Sequence, residues 1–122
     1  MTGIGIDIID SKRFRAKKYT RKNKTLTQMF TQNELDYCFA RRDPASHLAT
    51  HFAAKEAAWK ALSDTKKFNI PLFIFLQEVE IIHDERGNPG IVFHSGGLKK
   101  HRAFVSIADS DTHAIAVVVL QK

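Results

Sequence analysis

Ile4, Ile6 and Ile8 alternate with Gly5, Asp7 and Ile9 near the start of the chain. Period-two alternation of β-branched residues predicts a strand with those three isoleucines on one face. On the other face Gly5 leaves room beside Asp7, whose carboxylate must find a hydrogen bond, a cation or water. Ser11 is a candidate cap for the basic segment that follows, which starts as a helix and loses its pattern beyond Tyr19. Thr31-Gln32-Asn33-Glu34 is a capping box, with Phe30 and Leu35 at the two positions of a hydrophobic staple. These signals predict a short helix over about 32–41.

Asp43 then offers an N-cap and Pro44 the first helical position, where a missing amide costs nothing. A long helix over about 44–62 follows, with Leu48, Phe52, Trp59 and Leu62 on one face. Ala53, Ala54, Ala57, Ala58 and Ala61 favour helix and let a neighbouring element come close. Glu56 and Lys60, four apart at the edge of the apolar stripe, point roughly the same way. Contact between this helix and the first strand would carry Glu56 towards Asp7. Phe68 to Leu76, around Pro71, is too apolar for a free loop, and two readings stand: a subunit interface, or an aromatic cluster buried within one chain. The last third reads as strands. Val79 and Ile81 lead to a turn at Asp84-Glu85-Arg86-Gly87-Asn88-Pro89, and Ile91 to Phe93 return. Ser95 to Arg102 form a helix or an irregular link. Phe104–Ile107 and Ala114–Leu120 then make a hairpin across Asp109 to Thr112. The organisation is α+β, a long helix packed on an antiparallel sheet.

The chain's 122 residues suit one compact domain over 1–122 and are too few for two. An apolar fraction of 43% and a charged fraction of 26% are those of a globular protein. So small a core leaves oligomerisation open as a further source of burial. Cys38 is the only cysteine, which excludes an intrachain disulfide and a cysteine zinc cluster. The opening residues lack the basic and apolar regions of a secretory signal, and no apolar run approaches the roughly 20 residues of a membrane span. A cytoplasmic protein is the expectation.

Charge is uneven. Lys12, Arg13, Arg15, Lys17, Lys18, Arg21, Lys22 and Lys24 come without an intervening acid, while bases and acids balance beyond residue 24. The formal net charge of +6 therefore belongs to the N-terminal end, facing either solvent or an acidic protein, phosphate or nucleic acid.

Asp7 and Glu56 are the candidate catalytic pair. Magnesium takes oxygen ligands, often one or two carboxylates with substrate phosphates and water. Such an ion would neutralise a pyrophosphate and the charge moving to its bridging oxygen. Lys60 would contact phosphate or simply pair with Glu56. His47 and His51 lack the glutamate of a zinc-hydrolase motif, and Gly96-Gly97 is no phosphate-binding loop.

Three stretches then combine: Gly3-Ile4-Gly5-Ile6-Asp7-Ile8-Ile9, Phe30-Thr31-Gln32-Asn33-Glu34-Leu35, and Phe52-Ala53-Ala54-Lys55-Glu56-Ala57-Ala58-Trp59-Lys60-Ala61-Leu62. With Gly87-Asn88-Pro89, Val105-Ser106-Ile107 and His113-Ala114, their order and spacing resemble the holo-acyl-carrier-protein synthase branch of the 4'-phosphopantetheinyl transferases. The resemblance implies that fold, and attack by a carrier-protein serine on the β-phosphate of coenzyme A. It implies Asp7 and Glu56 as magnesium ligands, Lys60 near the transferring phosphate, and Asp10 either supporting the ligands from behind or positioning water. His51, Lys60, Gly87, Pro89 and Ser106 become coenzyme-contacting positions. Arg13, Arg15 and Arg21 become docking residues for an acidic apo acyl carrier protein, strengthened by Lys17 and Lys18, and a homotrimer is expected.

Three departures accompany it: Asp109 stands where the family hairpin has histidine, His51 where arginine is common, and Asn88 where lysine is common. They keep open a catalytically weakened or non-catalytic carrier-binding homologue. The basic run keeps open a nucleic-acid-binding module, although no paired zinc motif or aromatic RNA-binding signature accompanies it.

Overall fold

A computed structural model describes residues 2–15, 19–64, 69–94 and 96–121 of the chain. β1 (Thr2–Asp10) opens the fold as the alternation predicts, and pairs antiparallel with β5 (His113–Gln121). β5 pairs in turn with β4 (Arg102–Asp109), giving a three-stranded sheet of order β1-β5-β4 in which β1 is an edge. Among the described residues a second sheet pairs β2 (Val79–His83) with β3 (Pro89–Phe93). α4 (Pro44–Asp64) packs chiefly on β1 and β5.

Gly5 explains how close that packing is. A Cβ there would lie 1.9 Å from the Ala57 carbonyl oxygen and 2.8 Å from the Ala61 amide nitrogen, so helix backbone meets strand backbone. Ala53, Ala54, Ala57, Ala58 and Ala61 are all fully buried.

Ile4, Ile6 and Ile8 take the opposite face, away from α4, and lie 58–61% exposed, while Ile9 is buried. Register continues this face across the sheet: Ile4, Ile6 and Ile8 stand opposite Val119, Val117 and Ile115, and these opposite Phe104, Ser106 and Ala108. The result is a broad apolar surface that none of the described elements covers.

The basic segment begins as a helix, as expected: α1 spans Lys12–Arg15, and Asp10 caps its start by accepting from the Lys12 amide at 2.9 Å. Ser11 does not cap. Its hydroxyl donates to the carbonyls of Asp111 and Thr112, fastening the start of α1 to the β4–β5 turn. Lys17 and Lys18 lie outside the described residues. An unexpected helix, α2 (Lys24–Met29), begins at Asn23, whose side chain accepts from the Leu26 amide.

α3 (Gln32–Phe39) begins with both bonds of the capping box: Thr31 Oγ1 accepts from the Glu34 amide, and Glu34 Oε1 from the Thr31 amide. Phe30 and Leu35 are buried as the staple requires. α5 (Leu72–Glu78) divides the apolar 68–76 run: Phe75 and Leu76 are buried, while Phe73 is 72% exposed. Phe68 lies outside the described residues. The link before β4 is irregular, with turns over 96–100 and a buried Leu98.

Candidate active site

β1 and α4 bring Asp7, Glu56 and Lys60 together. Two residues beyond the Gly5 contact, Asp7 points towards α4 and is buried. Its Oδ1 accepts from the Lys60 ammonium at 3.0 Å, and the same ammonium donates to the Ile6 carbonyl at 3.1 Å. Asp7 Oδ2 is buried and accepts from no donor. The Glu56 carboxyl lies within hydrogen-bonding reach of Asp7, but two ionised carboxylates have no proton between them. Partial burial and the facing Asp7 push Glu56 up to about 7, against the opposing charges of Lys60 and Arg13. The pair therefore needs either a shared proton or a cation. Magnesium fits that need, since it takes one or two carboxylates together with water and substrate oxygens.

The cleft beside them has a volume of about 420 Å³ and is lined by Ile6, Asp7, Ile8, Lys60 and Ile115. It wraps the open edge of β1, so the polar site runs directly into the uncovered isoleucine face.

The other sequence candidates are placed elsewhere. His51 is fully buried, and burial drops it to about 3. Its Nδ1 donates to the His47 carbonyl at 2.7 Å, which leaves Nε2 to accept from His83 Nε2 at 3.1 Å. His83 stacks on Tyr37 with ring centroids 4.0 Å apart, and Nδ1 of His83 lies 3.2 Å from the Gly87 carbonyl. His51 is thus a core histidine linked to the 84–89 turn through His83, and does not line the Asp7 cleft. The turn owes its shape to Asp84, which accepts from the Arg86 and Asn88 amides, and to Gly87 at φ +84°. Pro89 begins β3. Ser106 lies on the uncovered face of the sheet, opposite to the face that carries Asp7.

Two of the docking arginines are paired within the chain. Arg15 holds Asp43 through two bonds, at 2.8 and 2.6 Å, and Arg21 pairs with Asp36 at 3.1 Å. Arg13 lies over the Phe52 ring at 4.5 Å, near enough to oppose the rise at Glu56. Asp109, the hairpin departure, accepts from the Ser46 hydroxyl at 3.1 Å, in the first turn of α4. Cys38 is buried and its thiol is pushed up to about 12, which makes it inert. No third metal-binding side chain joins Asp7 and Glu56 among the described residues.

Sequence reasoning passed over Lys55 as a functional candidate and gave Glu34 only its capping role. Both are fully buried and paired at 2.6 Å. Burial pushes Glu34 up and Lys55 down, and each opposes the other's shift. The available signal was spacing: Lys55 stands in line with Leu48, Phe52, Trp59 and Leu62, inside the apolar stripe.

A model of the 4'-phosphopantetheinyl transferase superfamily matches residues 3–118, which include all three members of this cluster. The chain belongs to that superfamily. Within the phosphopantetheinyl transferases, the holo-[acyl-carrier-protein] synthase of Geotalea daltonii is 35% identical over 130 residues, covering 98% of each chain. The crystal structure of a holo-(acyl-carrier-protein) synthase from Bacillus anthracis, in complex with CoA (3',5'-ADP), matches with a TM-score of 0.76 and 30% identity. That match covers 97% of this chain and 94% of the other. The Helicobacter pylori synthase in complex with coenzyme A gives a TM-score of 0.79 at 27% identity, over 97% and 99%. The phosphopantetheinyl transferase fold therefore extends along nearly the whole chain. No described helix is long and apolar enough to cross a membrane.

Proposed function

We propose that the chain is a holo-acyl-carrier-protein synthase, with Asp7, Glu56 and Lys60 as its reaction centre. It moves the 4'-phosphopantetheine group of coenzyme A onto a serine of an apo acyl carrier protein and releases adenosine 3',5'-bisphosphate. The observation that carries the assignment of the centre is the unpartnered, buried Asp7 Oδ2 facing a second carboxylate inside the matched region.

Asp7 and Glu56 would hold magnesium. When bound, the ion supplies charge neutralisation at the pyrophosphate and at the oxygen that leaves with the nucleotide. Lys60 has a side chain 47% exposed, so its ammonium keeps donor capacity towards a phosphate oxygen while two contacts fix its position. The hydrocarbon of Ile6, Ile8 and Ile115 limits water around that phosphate. Arg13 has no carboxylate partner among the described ion pairs and is the docking residue best placed to meet an acidic carrier surface. Arg15 and Arg21 contribute to the field, which speeds encounter.

The proposal extends to a homotrimer assembled over the isoleucine face. A neighbouring subunit seated there would also wall the cleft, and would bring Ser106 and the opened edge of β1 into one interface. Gly87, Pro89 and the buried His51 behind them then serve coenzyme A through the 84–89 turn.

The test is direct. Purified protein is incubated with an apo carrier, coenzyme A and magnesium, and the carrier is weighed by mass spectrometry. A gain of one phosphopantetheine group is expected. Folded protein that modifies none of several carriers would refute the assignment.

A further inference from the structure

The buried contact between Lys55 and Glu34 has no task in the transfer described above. The Lys55 ammonium donates to Glu34 Oε1 at 2.6 Å and to the Met29 carbonyl at 3.0 Å. Glu34 also accepts the Thr31 amide on Oε1 and the Ile81 amide on Oε2, both at 2.8 Å. One buried point thus ties the end of α2, the start of α3, the middle of α4 and the middle of β2.

Stability is a weak reason for such a pair, because desolvating two charges offsets most of their attraction. Orientation is a stronger one. The buried surface of α4 is rich in alanine, and at Gly5 its backbone rests directly on β1. A smooth methyl surface has few ridges to resist rotation of the helix about its axis or sliding along it. A directional contact between charged groups resists both. Successive helical residues are turned by about 100°. With Lys55 held towards α3 and β2, the direction of Glu56 is set.

We propose that Lys55 and Glu34 are positioning residues for the transfer: their buried contact fixes the rotation and height of α4 that bring Glu56 and Lys60 to Asp7. The proposal rests on the reading of Asp7 and Glu56 as magnesium ligands.

Two double variants remove both charges while keeping the space filled: Lys55→Met with Glu34→Gln, and Lys55→Gln with Glu34→Gln. Each is followed by thermal unfolding, by calorimetric titration with Mg²⁺ in the absence of coenzyme A, and by separate kcat and carrier KM. The expected result is a folded variant whose Mg²⁺ affinity and kcat each fall by about tenfold or more, with the carrier KM unchanged. A structural role alone would lower the melting temperature and leave the folded protein's Mg²⁺ affinity intact. That result overturns the proposal, and so does failure of both variants to fold. Asp7→Asn in the same titration separates the two levels. If it abolishes binding that the double variants retain, only the positioning claim is wrong. If it too retains binding, the magnesium reading falls and takes the positioning claim with it.

Discussion

Glu56 is held in two conflicting conditions, partly removed from water and turned towards a second carboxylate. Its folded value of about 7 lies above the ordinary 4.5, so its ionised form is the disfavoured one in the folded chain. The sign of the consequence follows: this group's contribution to stability is fully present below 4.5 and is lost as pH rises through about 7. In magnesium-free buffer, urea unfolding at a series of pH values should show stability declining across that window, and Glu56→Gln should flatten the slope. A steady profile in the unaltered chain would contradict the facing of the two acids. Mg²⁺ displaces the same proton, so its apparent affinity should climb over the same window and level off above it. Asp7→Ala and Glu56→Ala should each reduce kcat by about a hundredfold or more, measured as the rate of carrier mass gain. At this scale Asp7 was readable because a lone carboxylate beside a glycine, in a strand of isoleucines, has to be explained. His51 was not. Whether a helical histidine meets a ligand or a second histidine depends on what packs over it, and here Tyr37, Cys38 and His83 do.

Between elements, the decisive contact is the one at Gly5. A methyl group there would collide with α4 backbone, which cannot swing aside as a side chain can. Gly5→Ala should therefore cost about 1–3 kcal/mol or more in denaturant unfolding. It should also depress turnover at temperatures where the variant remains folded, because the strand carrying Asp7 is displaced from Glu56. Full stability and full activity in Gly5→Ala would remove the close approach from the explanation. At the start of α3, Thr31→Ala should lower stability by about 1 kcal/mol through loss of the cap. The capping box could be read from four letters because both of its bonds are local. Ser11 misled for the converse reason: its partners are Asp111 and Thr112, a hundred residues away, and nothing local announces them. α2 escaped notice because its only signal, Asn23, lies inside a run of charges that has no apolar period.

For the whole molecule, the alternation in β1 revealed that its isoleucines share a face but not whether that face meets α4 or solvent. Glycine decided it. Gly5 allows the helix so close, and the bulky residues are left outside. A face bearing Ile4, Ile6, Ile8 and Phe104, all more than half exposed, is far more apolar than a solitary small protein ordinarily shows. If the proposed trimer forms over this face, Ile6→Asp should break it to monomer in light scattering coupled to gel filtration, and should lower activity with it, since the same residue lines the cleft. A monomeric unaltered chain with full turnover would contradict the shared site. Joining of Asp7 to Glu56 beneath this face is tested most directly by crystals grown with coenzyme A and Mn²⁺, the latter located by its anomalous signal. One Mn²⁺ peak coordinated by both carboxylates is predicted. A fully occupied metal bound by neither of them, with Asp7 and Glu56 still facing each other empty-handed, would contradict it.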